Sequence, residues 1–558
     1  MLRRFLLITF LPLLFLTGCS TSTSGVVDPV PPTVLLDGVT TSATAAEPTA
    51  APTEAETAPA SAATETRPAA TKTPLPVPTP EAPQPTEETR LSFMQDISWD
   101  DREPFRAGLT SGQEAVLDEL PGATVYHLAI DITDPHQLVG EMEARYTNQE
   151  SVTLDELVLH LFPQHLGGDL AVSDVRVDGR SVASAIEDGI LRVYLDQPLQ
   201  PGEQTVLSLS FVTTVPGEES TKYKVLAYAD DILALAHFYP MFAVFDDEGW
   251  HTLPSPDHGD ETFSDMSFYL VDVFSPADQV LVASGVAISG EGDPSHKRTR
   301  FAAGPMRDFY LVASNRFEEI QQQVGSITVN SYAPAELMDA ARLALDTTAF
   351  AVESYGERYG PYPYAELDVV STPTDALGIE YPGVFANAIR IYDLQDGTSS
   401  TLPNSVLIES TSAHEAAHQW FYGLVGSDQL GEPWLDESLT QYATWRYYVD
   451  RYGERNAQPF ADSLQGRWDR AGNPDMPIGL PAADYNGQDY SAIIYGRGPL
   501  FLDELADQMG QEVFDTFLRD YSEQYRWRIA TAADFMALAE AHCNCDLSQL
   551  FEENVFGR

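Results

Sequence analysis

The pattern of apolar and polar positions divides the globular part of the chain in two. In the first half, short runs alternate apolar and polar residues, and this period of two is typical of strands with one buried face. The runs, bounded by Gly, Pro, Asp or Asn, are 126–134, 154–162, 191–199, 205–215, 267–275 and 307–315. No clear long helical pattern interrupts them. We therefore predict an antiparallel, β-sandwich-like domain over residues 93–322.

The second half follows a helical period. Apolar residues recur at helical spacing from Ala335 to Tyr359, without an internal proline and without a glycine before Gly356, which predicts a long helix. A strand is predicted at 367–370. Further helices are predicted at 436–448, 455–468, 498–508, 511–524, 531–541 and 546–552. Residues 323–558 are thus expected to form a second, mainly helical domain, and the fold class is α+β.

The first nineteen residues have the pattern of an export signal. Two arginines precede an apolar run, 5–15, that is too short to span a membrane comfortably. Leu16-Thr17-Gly18-Cys19 follows it and resembles a bacterial lipobox. We expect an exported protein that a lipid on Cys19 anchors to a bacterial membrane, outside the cytoplasm. The alternative is an ordinary secretory signal with a chance cysteine, and export is expected in both cases.

Residues 20–92 are rich in Thr, Ala, Pro, Ser and Glu and hold almost no aromatic residues. Such a composition cannot bury a core, so we predict a disordered tether between the anchor and the folded part.

The chain is strongly acidic, with 84 acidic residues against 31 basic ones and a net charge of −53. Most of this charge belongs to the part after the tether. A negatively charged surface repels nucleic acid and anionic membrane surfaces, so these partners are disfavoured.

Three cysteines are too few for a disulfide scaffold. Apart from Cys19, they are Cys543 and Cys545, for which a strained disulfide, a weak metal site and two plain thiols all remain open.

Candidate chemistry concentrates between residues 409 and 442. His414, Glu415 and His418 form an H-E-x-x-H pattern, and histidines four residues apart lie on one face of a helix. They can hold one zinc ion, with Glu415 beside the metal-bound water. Glu437 follows after eighteen residues and is the candidate third ligand. Three protein ligands leave a position open for catalysis.

The alternative for this segment is a surface helix with two solvated histidines. Its flanks are apolar and aromatic, among them Ala413, Trp420 and Phe421. They favour a buried helix, in which two histidines and a glutamate need partners.

These residues resemble the M1 aminopeptidase family of gluzincin metallopeptidases. The spacing from His418 to Glu437 within W-L-x-E agrees with that family. Gly378–Gly383 looks like its G-x-M-E-N motif, Tyr495–Gly498 looks like its Y-x-K-G segment, and 238–250 resembles part of the N-terminal domain of bacterial members. The resemblance runs from about Tyr126 onward. It implies a thermolysin-like catalytic domain with one zinc ion per chain.

The resemblance also assigns roles outside the zinc motif. Tyr495 is expected to donate its hydroxyl to the oxyanion of the tetrahedral state. The alternative is a packed aromatic residue, since Tyr485 and Tyr490 lie close by in the sequence.

Glu380, with Gly378 in the same motif, is expected to bind the α-ammonium group of the substrate. The alternative is a surface glutamate in a turn. Tyr381 stands where the family has asparagine and Ile379 where it has methionine. A further amine-binding residue that the family takes from the N-terminal domain has no match.

The sequence thus predicts a zinc aminopeptidase that acts on peptides with a free N-terminus. The alternatives are a thermolysin-type endopeptidase and a non-catalytic surface binding lipoprotein. Many family members continue into further domains that roof the active site. Few residues follow Leu550, so we expect an open cleft that admits longer peptides.

Overall fold

Residues 97–217, 219–395 and 402–557 are described by the computed structural model. The predicted signal segment with Cys19 and the predicted tether lie outside the described residues. Among the described helices, none combines the length and the apolar character needed to cross a bilayer.

The first domain is built from short strands arranged in several sheets. The strands are β1 (Thr124–Asp131), β2 (Gln137–Thr147), β3 (Leu154–His160), β4 (Asp169–Val177), β5 (Arg180–Ser181), β6 (Ser184–Glu187), β7 (Ile190–Leu199), β8 (Gln204–Thr214), β9 (Leu226–Ala229), β10 (Ile232–Leu235), β11 (Met241–Phe242), β12 (Phe245–Asp246), β13 (Gly249–Trp250), β14 (Ser267–Pro276), β15 (Val280–Ala283), β16 (Val286–Gly292), β17 (His296–Met306) and β18 (Leu311–Ser314).

An eight-stranded sheet of order β16-β17-β14-β1-β2-β8-β4-β5 forms the centre of this domain. Two four-stranded sheets, β15-β18-β10-β9 and β11-β3-β7-β6, and the pair β12-β13 complete it. Strand β8 alternates between buried and partly exposed residues, as its sequence pattern predicts. Strand β1 is buried along almost its whole length because it lies inside the sheet.

Two details differ from the sequence prediction. The pairing of β1 with β14 is parallel, so the large sheet is mixed rather than wholly antiparallel. The predicted strand 307–315 is shortened to β18, because Arg307 and Asp308 turn into the interface between the two domains.

The second domain begins with a five-stranded sheet. Its strands are β19 (Phe317–Val324), β20 (Ile327–Pro334), β21 (Glu366–Thr372), β22 (Gly378–Tyr381) and β23 (Val384–Ala388). Their order is β19-β20-β21-β23-β22, and β22 is an antiparallel edge strand. The predicted domain boundary between residues 322 and 323 falls inside β19. The three glutamines next to this boundary, 321–323, are exposed residues of this outer strand.

Helices make up the rest of the second domain. The helices of the described chain are α1 (Val116–Glu119), α2 (Met338–Tyr359), α3 (Asn404–Ala417), α4 (Trp434–Tyr452), α5 (Glu454–Arg470), α6 (Gly487–Ala492), α7 (Gly498–Met509), α8 (Gln511–Gln524), α9 (Ala532–Cys543) and α10 (Ser548–Phe551). A multi-sheet β domain followed by a mainly helical domain confirms the predicted α+β class. Cys543 and Cys545, left open above, form a disulfide at the end of α9.

Arg307 fixes the first domain against the second. Its guanidinium donates hydrogen bonds to the carbonyl oxygens of Tyr422 (2.6 Å), Ser264 (2.9 Å) and Arg528 (2.8 Å). The side chain is fully buried, and each of its bonds satisfies a carbonyl that would otherwise lose its hydration. A Cβ atom at Gly426 would lie 2.2 Å from Cζ of Arg307, so the guanidinium requires a glycine there. This contact holds the first domain beside the end of α3.

Candidate metal centre and active-site cleft

Three predicted ligands meet where the last turn of α3 faces the first turn of α4. The Nε2 atoms of His414 and His418 lie 3.2 Å apart. Oε2 of Glu437 lies 3.2 Å from the first of these atoms and 3.5 Å from the second. A tetrahedral zinc ion with ligand distances of about 2.0–2.1 Å requires donor atoms about 3.3 Å apart. The donor set therefore fits zinc in both chemistry and spacing.

The site is buried on all sides except one. The side chains of His418 and Glu437 are 1% and 4% exposed, whereas that of His414 is 13% exposed. Burial disfavours the charged form of Glu437, but hydrogen bonds from both histidines outweigh it and hold the pKa of this carboxyl well below its usual value. Glu437 is thus an anionic donor, and the open side is the side of His414.

Asp436 orients His418 and was not singled out from the sequence. Its Oδ1 lies 2.6 Å from Nδ1 of His418 and accepts the proton of that nitrogen, which leaves Nε2 free for a metal ion. Gln429 donates a short hydrogen bond to Oδ2 of the same carboxylate. The available signal was the position of Asp436, directly before the ligand Glu437.

Glu415 points into the cleft beside the ligands. It is 4% exposed, and burial raises the pKa of its carboxyl well above the usual value, with further contributions from Glu437 and Asp260. A Cβ atom at Gly378 would lie 2.3 Å from Oε1 of Glu415 and 2.6 Å from Cγ2 of Thr411. Gly378, predicted from the sequence as a site residue, therefore leaves room for the carboxylate of Glu415. Any larger residue at this position would displace that carboxylate.

Tyr495 contacts the metal ligands directly. It lies in a π-helical turn, Ile493–Arg497, and its hydroxyl donates a short hydrogen bond to Oε1 of Glu437. Burial and the charge of Glu437 raise the pKa of this hydroxyl well above 10, so it keeps its proton. The hydroxyl of Tyr485 donates instead to the carbonyl of Pro477, away from the ligands. The arrangement leaves Tyr495 available as a donor next to the metal position.

Glu380 lies on the edge strand β22 and faces a second carboxylate. It is 7% exposed, so it is not a surface glutamate. Carboxylate oxygens of Glu380, Asp260 and Asp436 all lie within 4.8 Å of one another. Oδ2 of Asp260 is buried and, among the described residues, has no hydrogen-bond partner. Burial, followed by repulsion from Glu380, raises the pKa of Asp260 well above its usual value.

Asp260 comes from the first domain, in the loop between β13 and β14. It lies in the acidic segment 258–265, far in the sequence from the metal-ligand motif. The acidic run Asp246–Glu248 of the same domain does not line the cleft, and Asp246 pairs with His251 at 2.6 Å. The residue from the first domain that enters the site is thus Asp260.

These side chains line a single cleft with a volume of about 960 Å³. Tyr223, Asp260 and Glu380 line it, as do residues at the end of α5 and in α6. The three metal ligands also belong to its lining. Such a cleft holds an extended segment of a few residues.

Comparison with known proteins agrees with this arrangement. Residues 343–554 match the model of the peptidase family M1 domain. These residues form an M1 peptidase domain. The match contains all three candidate ligands, together with Glu415, Glu380 and Tyr495.

Two curated proteins to which this chain is similar carry the name aminopeptidase. Aminopeptidase 2 of Candida albicans (strain SC5314 / ATCC MYA-2876) is 25% identical over 261 residues, which are 45% of this chain and 28% of the relative. Aminopeptidase M1 of Arabidopsis thaliana is 26% identical over 281 residues, which are 48% of this chain and 31% of the relative. The chain therefore spans about three tenths of the length of these relatives.

Solved structures share the two-domain fold. The M1 zinc metallopeptidase from Deinococcus radiodurans is 21% identical, with a TM-score of 0.55, and the match covers 77% of this chain and 91% of that chain. The likeness covers more of the chain than the matched domain, so the shared fold extends beyond residues 343–554.

Proposed function

We propose that this protein is a zinc aminopeptidase that removes single residues from the free N-terminus of peptides. The observation that carries the proposal is the carboxylate pair of the partly buried Asp260 and the buried Glu380, beside an open three-ligand metal site. Relatives of its M1 domain that carry the name aminopeptidase support it.

The carboxylate pair favours an ammonium ion. Asp260 has a buried oxygen without a hydrogen-bond partner in the described part of the chain, and Glu380 accepts one hydrogen bond from Gln429 at 3.2 Å. Two like charges this close are costly unless a cation joins them. A free α-ammonium group offers three donors and one positive charge, whereas an acetylated terminus offers neither. The pair therefore selects substrates by their free amino end.

His414, His418 and Glu437 would hold the zinc ion. The chemistry that zinc supplies in such a site is Lewis acidity toward a water molecule and a carbonyl oxygen. Glu415 accepts the proton of the attacking water and passes it to the leaving amine. Tyr495 donates its hydroxyl proton in a hydrogen bond to the developing oxyanion, once a substrate displaces its bond to Glu437.

One peptide offered with a free and with an acetylated N-terminus tests the function. We expect the zinc-loaded protein to shorten only the free form, one residue at a time, as followed by mass spectrometry. The reason is that the acetylated form leaves Asp260 and Glu380 without a cation. Asp247→Asn, a change in the acidic run that points away from the site, serves as a control and should leave both results unchanged.

Two other results would point to the alternatives. Internal cuts in both forms would keep the zinc chemistry and indicate a thermolysin-type endopeptidase. Absence of cleavage with stoichiometric zinc bound would favour the non-catalytic binding lipoprotein.

We further propose that the protein is exported and anchored to a bacterial membrane by a lipid on Cys19. The proposal rests on the sequence of residues 1–19. Labelling of cells with a radioactive fatty acid is expected to mark the full chain but not a Cys19→Ser variant. Equal labelling of the two would exclude Cys19 as the modified residue.

A further inference from the structure

The lining of the cleft carries charges of both signs. Asp260 and Glu380 lie where the amino end of a substrate is proposed to bind, whereas Arg467 and Arg470 line the cleft from the end of α5. Residues three apart on a helix share a face, so both arginines are directed to the same part of the cleft.

Arg467 has no acidic partner among the described residues. Its guanidinium makes one long hydrogen bond, 3.5 Å, to Oγ of Ser491 and stacks over the ring of Tyr495. The chain has 84 acidic residues against 31 basic ones, so acidic partners for arginine are abundant. Burial lowers the pKa of Arg467 to about 10, and the group remains charged at neutral pH. A partly buried guanidinium that forms no salt bridge is costly, and a ligand of opposite charge would offset this cost.

The position of Arg467 sets the distance at which that ligand is held. Cζ lies 5.4 Å from the centre of the Tyr495 ring, and the hydroxyl of the same tyrosine bonds the ligand Glu437. One aromatic ring therefore separates the guanidinium from the metal site. An extended peptide advances about 3.3–3.6 Å per residue. A group one or two residues after the scissile bond can reach Arg467.

We propose that Arg467, with Arg470 beside it, binds a carboxylate that the substrate carries one or two residues after the scissile bond. The proposal rests on the proposed function, since Asp260 and Glu380 set the direction in which the substrate lies. Two sources of this carboxylate are possible in chemical terms. The C-terminus of a dipeptide or tripeptide supplies one, and an acidic side chain of a longer peptide supplies the other.

Three substrates with the same first residue separate these sources: Leu-Ala, Leu-Ala amide and Leu-Asp amide. We expect wild-type kcat/KM to be about tenfold higher or more for Leu-Ala than for its amide, because a charge-assisted bond to arginine is lost in the amide. In Arg467→Gln the ratio of the two values should fall to about one, and Arg467→Lys should restore part of it. The ratio is the informative quantity, because general damage to the site lowers both values equally.

Arg455→Gln is the matched control. Arg455 lies in the first turn of α5 and is exposed, so its loss changes the net charge equally without touching the cleft. This variant should keep the wild-type ratio. A higher rate for Leu-Asp amide than for Leu-Ala amide would assign the acidic side chain as a source, and a gain for Leu-Ala alone would assign the C-terminus.

Two results would overturn the proposal. Equal wild-type values for Leu-Ala and its amide would show that no carboxylate is recognised. An Arg467→Gln variant that loses activity on both substrates and keeps the wild-type ratio would make Arg467 a positioning residue for Tyr495.

A failure of the proposed function can be told apart from a failure of this inference. Calorimetry with the zinc-loaded Glu415→Gln variant measures binding without turnover. Tighter binding of Leu-Ala than of its amide, lost when Arg467→Gln is added, would support the carboxylate site even if no peptide is hydrolysed. Equal binding would refute it.

Discussion

Glu415→Gln is expected to lower kcat by about 10²–10⁴-fold while zinc remains bound. The carboxylate of Glu415 is not among the three donor atoms that face one another across the metal position. Glutamine has nearly the same shape, so the narrow contact with Gly378 is kept. The amide, however, cannot accept the proton of the attacking water. Metal analysis and steady-state kinetics on a free peptide measure the two effects separately.

Glu409→Gln is a matched control for this prediction. Glu409 lies on the same helix and is also buried, but its carboxylate accepts hydrogen bonds from Tyr447 and Tyr452, outside the cleft. A loss of activity in both variants would indicate damage to α3 rather than a missing base. Activity near wild type in Glu415→Gln would refute the role of Glu415 as proton acceptor.

The part of the site on continuous helices could be predicted from the sequence. The spacing of His414 and His418 follows from the helical repeat, and Glu437 lies in the first turn of the next helix, α4. Helix α8 begins and ends at the predicted residues, because a glycine precedes it and its apolar stripe is regular. Such features follow from local periodicity, so they can be predicted without the tertiary structure.

The part that depends on packing between distant segments could not be predicted. Asp260 reaches the cleft from a loop of the first domain, and its place depends on how Arg307 fixes the two domains together. Gln429 connects Glu380 with Asp436, although it lies in a loop without periodicity. The parallel pairing of β1 with β14 joins strands more than a hundred residues apart. No local pattern encodes these contacts.

The site as a whole is a concentration of negative charge. Asp260, Glu380, Glu415, Asp436 and Glu437 lie close to the two histidines, and all of these carboxylates except the partly exposed Asp260 are buried. Ionised carboxylates this close together repel one another unless cations compensate them. A zinc ion and a substrate ammonium group supply three positive charges between them. The metal is therefore expected to stabilise the fold as well as to serve catalysis.

His418→Ala is accordingly expected to remove zinc and with it all peptidase activity. Two remaining ligands do not complete the three-ligand set of a catalytic zinc site. In the wild-type protein, zinc at a thousandfold excess over its Kd stabilises the fold by about 4 kcal/mol. In the variant, added zinc should no longer raise Tm. Metal analysis of the purified protein and thermal unfolding with and without a chelator measure both effects.

Asp436→Asn is expected to weaken zinc binding less than His418→Ala does. It keeps the three ligands but weakens the acceptor at Nδ1 of His418, and the loss of such a partner costs about 10–100-fold in metal affinity. His542→Ala is the control, since His542 pairs with Asp520 far from the ligands, and it should bind zinc like the wild type.

Full zinc occupancy in His418→Ala would show that this histidine is not a ligand. A wild-type affinity in Asp436→Asn would show that the metal site does not depend on the negative charge of this side chain.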